Sequence, residues 1–146
     1  MKRYDISQKI VFKTGTYELN SDANFNYQLN RVIMWDGGDA DEVSAVSQRI
    51  KTSSDWVRTM EQLAAKAHAE GRTANEIAYL RMSEFFIYDT DPKKKSRYKE
   101  ACELFYDYYS NYFDQGIVER HKVPYGSGFR QAYQAYSRLV DIPRFL

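Results

Sequence analysis

Disulfide scaffolds, zinc clusters and membrane spans are excluded by what this sequence has little of. Among its 146 residues there is one cysteine, Cys102, so no intrachain disulfide and no cysteine-based zinc cluster can form. The two histidines, His68 and His121, stand far apart and lack the short spacing of a metal-ligand pair. No metal and no cofactor is therefore expected. No apolar run approaches the roughly 18 residues that a membrane helix needs. The N-terminal "MKRYDISQKIVF" has no apolar core of a signal peptide, so a cytoplasmic protein is the expectation. The net charge is only +1, which gives no general pull toward nucleic acid or an anionic membrane, and neither is expected as a partner.

What is present suits one ordinary folded domain. The chain is long enough to bury a single core. It is 43% hydrophobic and 16% aromatic, outside the disordered range. Tyrosine is frequent, with 13 copies, which favours half-buried surfaces where a ring packs and its hydroxyl stays wet.

The spacing of apolar residues predicts a mainly α fold. We expect a bundle of about five to six helices, with one or two short strands at Lys9–Phe12 and Ile117–Val123. From Asn24, residues Phe25, Leu29, Val32 and Ile33 recur at helical steps, and Gly37 is a natural stop. Asp39 or Asp41 can cap the next helix, where Val43, Val46 and Ile50 share a face. Ser53 or Ser54 can cap a third, striped by Trp56, Met60, Leu63 and Ala67 and closed by Gly71. Thr73 and Glu76 have capping-box spacing before a fourth, whose buried side is marked by Ile77, Leu80, Phe85 and Tyr88. Asp91–Pro92 opens the longest helix, expected to run about 21 residues to Phe113 through Tyr98, Ala101, Cys102, Phe105, Tyr109 and Tyr112. Gly116 ends it. The tail "FRQAYQAYSRLVDIPRFL" returns to helical spacing through Tyr133, Tyr136 and Val140. Three segments follow from this: an extension over 1–23, a helical domain over 24–116, and a strand with a helical tail over 117–146.

Four stretches carry residues with chemical potential. In "VPYGSGF" a serine, Ser127, lies between glycines beside a strand, as a hydrolase nucleophile does. A nucleophile elbow, however, needs glycine two residues before and two after the serine, and those positions hold Tyr125 and Phe129. The pattern describes a turn, and no catalytic residue is assigned. His121 has Glu119 two residues away on the same strand face, the spacing of an orienting carboxylate or of an ordinary exposed strand. "DPKKKSRYK" sets Lys93, Lys94, Lys95, Arg97 and Lys99 in the first turns of a helix, against its dipole. That run reads as a solvated helix start or as a patch for an acidic partner. Finally, "YLRMSEFFIYD" places Arg81 and Glu84 three residues apart, flanked by Tyr79 and Tyr88. This is a helix ion pair or the lining of a small-molecule pocket or interface.

Taken in order, "SSDWVRTMEQLAAKAHAEGRTANEIAYLRMSEFFIYDTDPKKKSRYKEACELFYDYYS" followed by "IVERHKVPYGSG" resembles the helical N-terminal region of certain α/β-hydrolases. These are the fermentation–respiration switch protein-like hydrolases and relatives of 2,6-dihydropseudooxynicotine hydrolase. The likeness covers roughly Asn24 to Gly128, most of the chain. In that family the helical region caps a doubly wound catalytic domain, which begins near the strand resembling "ERHKVPYGSG". The resemblance implies a cap that shapes a substrate pocket and subunit contacts, at the faces carrying Trp56, Tyr79, Arg81 and Tyr88, and Glu84 joins these as the partner of Arg81. No triad residue has a counterpart here. The helical tail departs from the family's further strands, as a truncated or frame-altered hydrolase would, and as would a free-standing cap-like protein with its own helical C-terminus. The expected activity is contact with a ligand, with a hydrolase-domain partner or with a second copy, and no catalysis by the chain alone. The alternative from another class is an α-helical interaction module of the helix-hairpin repeat type, although no fixed period repeats.

Overall fold

The computed structural model describes residues 3–7, 16–34 and 37–135. The mainly α fold is as expected. Its helices are α1 (Ala23–Met34), α2 (Ala40–Ser47), α3 (Ser53–Ala69), α4 (Thr73–Ser83), α5 (Pro92–Tyr108) and α6 (Ser110–Asp114), with a 3₁₀ turn at Glu84–Phe86 between α4 and α5. Two strands, β1 (Val118–Tyr125) and β2 (Gly128–Ala135), follow. The expected strand at Lys9–Phe12 lies outside the described residues. The chain forms two compact units, Phe12–Phe105, and Met1–Val11 with Tyr106–Leu146.

In the Phe12–Phe105 unit the core is built by the predicted stripes. Leu29, Val32, Val43, Ile50, Trp56, Met60, Ala67 and Tyr79 are fully enclosed. Trp56 stacks against Phe25 at 6.1 Å and meets Phe86 edge-on at 5.1 Å, the offset and T-shaped geometries that ring quadrupoles favour. Helix α4 is buried almost all round, through Ile77, Ala78, Tyr79, Leu80, Met82 and Ser83, as a central helix must be. Side-chain amides fasten the non-helical segment before α1. Asn30 exchanges two hydrogen bonds with the Tyr17 backbone, and Asn20 Nδ2 donates to the Ser47 and Ile50 carbonyls at 2.7 and 3.0 Å.

The helix ends depart from expectation in instructive places. Asp39 does cap α2, accepting from the Asp41 and Glu42 amides. The α3 cap is Thr52, one residue before the two candidate serines. Its hydroxyl accepts from the Asp55 amide at 3.1 Å, and the Asp55 carboxylate accepts in turn from the Thr52 amide at 3.0 Å. Thr73 forms no capping box: Arg72 stands at the N-cap with no side-chain cap bond, and Glu76 turns instead to His68. The long helix breaks early. After the 17 residues of α5, Tyr109 leaves helical geometry (φ −95°, ψ 14°), and Gly116 closes α6 with φ 67°. Tyr98 and Tyr88, assigned to buried faces, are exposed.

In the second unit Tyr4 packs on Tyr109 and Tyr112 at 5.2 and 5.9 Å, and its amide donates to the Tyr108 carbonyl at 2.8 Å. Burial pushes the phenols of Tyr4, Tyr108 and Tyr109 above their ordinary range. The predicted strand near Ile117–Val123 is present as β1. The helical tail is corrected over Gly128–Ala135, which form β2, and the remainder of the tail lies outside the described residues. The two strands pair antiparallel from Tyr125↔Gly128 to Val118↔Ala135. Gly126, at φ 56°, begins the two-residue Gly126–Ser127 loop, the glycine-first arrangement of a type II′ hairpin turn. That turn, with β1 as a template, outweighs the helical spacing expected at Tyr133.

Candidate functional site

The serine and the histidine of the "ERHKVPYGSGF" stretch do not meet. Ser127 sits in the hairpin loop, while His121 lies back along β1 opposite Ala132. At about 3.3 Å per residue, the four steps from His121 to Tyr125 alone separate them by roughly 13 Å. Glu119 does approach His121, at 3.4 Å, with both side chains about half exposed. Ser127 is therefore out of hydrogen-bonding reach of this histidine and carboxylate, and the three do not form a triad.

Of the five residues assigned to a pocket or interface, two are sealed inside. Trp56 has no exposed surface, and its indole N–H donates to the Met82 carbonyl at 2.7 Å. Tyr79 is equally enclosed, and its hydroxyl accepts from the Asp39 amide and donates to Glu42, each at 2.9 Å. A surface ligand touches neither in this conformation. Arg81 and Glu84 do pair, as their spacing predicted. Glu84 is only 6% exposed, with Lys94 Nζ 3.6 Å away, and Arg81 covers the Tyr98 ring at 5.4 Å. Charges so placed fasten the end of α4 to the start of α5, because an unpaired buried carboxylate would be costly.

Tyr88 lines an open cavity. It is 81% exposed, beside a groove of about 330 Å³ whose apolar floor is Val57, Phe86 and Ile87 and whose rim carries Ser53, Ser54 and Arg58. The Arg58 guanidinium is already engaged with Asp55. Glu61, Asp91 and Lys93 also line it, so the groove offers charged as well as apolar contacts. Lys93 and Arg97, from the cationic run, both reach Glu61 on α3 at 3.0 Å. Lys94 donates to the Ile87 carbonyl at 2.9 Å and faces Asp89 at 3.1 Å. Lys93, Lys94 and Arg97 therefore tie the start of α5 to α3 and to the segment before it, and those carboxylates offset the dipole penalty, while Lys99 pairs along α5 with Glu103 at 3.5 Å.

A polar hub that was not among the sequence candidates is Glu42. Its carboxylate receives two bonds from the Arg72 guanidinium, at 2.8 and 3.2 Å, one from Lys66 at 2.8 Å and one from Tyr79. Burial raises the Glu42 carboxyl, but the bonds from Lys66, Tyr79 and Arg72 outweigh it and hold the group below the usual carboxylate range. Burial likewise pushes the Tyr79 phenol up, so it stays a neutral donor. The sequence signal was faint: a glutamate in the first turn of α2 and an arginine just before α4, 30 residues apart. No family model, no curated protein and no solved structure matches the chain. Among the described residues no helix is long and apolar enough to cross a membrane.

Proposed function

We propose that this chain is the helical, cap-like region of an α/β-hydrolase, not catalytic alone, acting through contacts with a ligand or another subunit. One observation carries the reading. Directly after the helices, at the residues where the sequence resemblance puts the first strand of a hydrolase sheet, stands a β-hairpin that no further strand joins among the described residues. The absence of a G-x-S-x-G elbow from the sequence supports the non-catalytic half of the reading. So does the separation of Ser127 from His121. The groove beside Tyr88 is the place for a small ligand, and the ion pairs of Glu61 and Glu84 with Lys93, Arg97, Arg81 and Lys94 hold the elements around it together.

Turnover of p-nitrophenyl butyrate tests this. The purified chain is expected to match the buffer rate, and Ser127→Ala to change nothing. A rate above buffer that Ser127→Ala removes would overturn the reading.

A further inference from the structure

The hairpin is exposed on both faces beyond its base. Only Val118 is buried and Tyr133 half-buried, while Val123, Tyr125 and Phe129 are 48%, 64% and 54% exposed. Two strands alone are marginally stable in water, and each has an outer edge of main-chain donors and acceptors that no other strand among the described residues joins. Those two edges are not equivalent.

The two-residue loop makes Tyr125 and Gly128 a hydrogen-bonded pair, so pairing alternates from there. Arg130 and Ala132 then bond to β1, while Phe129 and Gln131 turn their main-chain groups outward from β2. On β1 the outward positions are Arg120, Lys122 and Pro124. Pro124 has no N–H to give, which fits its place in an unbroken ladder only if that position faces outward. The β1 edge is therefore guarded by two cations and a proline. A two-fold pairing of β1 with itself sets Arg120 against Arg120 of a second copy, or against its Lys122. The β2 edge has one charge, Arg130, and no proline along eight residues.

We propose that the outer edge of β2 pairs antiparallel with the same edge of a second copy of this chain, forming one four-stranded sheet across a two-fold axis. Centred on Gln131, this register opposes Phe129 to Tyr133 of the other copy, twice, and Arg130 to Ala132. It juxtaposes two aromatic pairs and no like charges. The proposal rests on the reading of the chain as a contact module and names the contact.

Light scattering over a concentration series tests it, with hydrogen exchange read amide by amide. The wild-type chain is expected at twice the chain mass, with the Phe129 and Gln131 amides protected. Gln131→Pro and the milder Gln131→Lys, which keeps its N–H but opposes two charges on the axis, are expected to be monomeric. Lys122→Pro, on the guarded edge, is expected to remain a dimer. A wild-type monomer at every concentration overturns the proposal, and protected Phe129 and Gln131 amides in that monomer would mean the chain's own residues cover the edge. A dimer that survives Gln131→Pro, or one that Lys122→Pro dissociates equally, also overturns it. Ester turnover is read separately from mass, so this contact and the non-catalytic reading can fail independently.

Discussion

Tyr79→Phe isolates the link between α2 and α4. The ring is fully enclosed, and the change removes one oxygen without opening a cavity. That oxygen serves two partners at 2.9 Å: it accepts from the Asp39 amide at the start of α2 and donates to Glu42. A neutral hydrogen bond contributes about 0.5–1.5 kcal/mol net, one to a charged group about 1.5–3 kcal/mol, and an orphaned buried donor costs a further part of its desolvation. Glu42 keeps its bonds from Lys66 and Arg72, so the lower end applies on that side. The expected loss is about 2–3 kcal/mol. For a unit of this size each kcal/mol shifts Tm by about 4–8 °C, so Tm should fall by roughly 10 °C or more. Urea and thermal unfolding, followed by far-ultraviolet circular dichroism, read this directly. A double-mutant cycle with Glu42→Gln should give a coupling of about 1 kcal/mol. A Tm change below about 2 °C, or strict additivity with Glu42→Gln, would refute the assignment of the hydroxyl as the link.

The same carboxylate makes stability depend on pH. Because Glu42 titrates below its ordinary 4.5 in the folded chain, its ionised form adds stability above that value, and the contribution is lost as pH falls through the folded value. The gap in urea midpoint between wild type and Glu42→Gln should therefore shrink on going from neutral to acid pH, and a constant gap would contradict the linkage. At the α3 cap, Thr52→Ala should cost about 1 kcal/mol and Ser53→Ala close to nothing, measured by the same unfolding curves. The reverse order would restore the serine as the cap.

How much could be read beforehand follows from range. Periodicity over one helix is local, so the stripe from Trp56 to Ala67 and the face of Phe25, Leu29 and Val32 were legible. Turn chemistry within two residues, such as Asp39 and Gly37, was legible as well. The Arg81–Glu84 pair was legible for the same reason. What failed depended on partners distant in sequence. Glu76 has capping-box spacing, but His68 on α3 takes its carboxylate at 2.9 Å. Tyr79 resembled a pocket residue because nothing local shows that Glu42 and Asp39 enclose its hydroxyl. The tyrosine spacing in β2 suits a helix, and the hairpin meaning of the Tyr125–Gly128 turn emerges only with β1 as a partner. Such pairings are set by tertiary context, which overrides propensity.

The claim that these residues hold a scaffold rather than an activated nucleophile is met most directly by a fluorophosphonate probe and intact-mass measurement. The account expects an unmodified chain after prolonged exposure. A single adduct on the wild type that Ser127→Ala or His121→Ala prevents would contradict it.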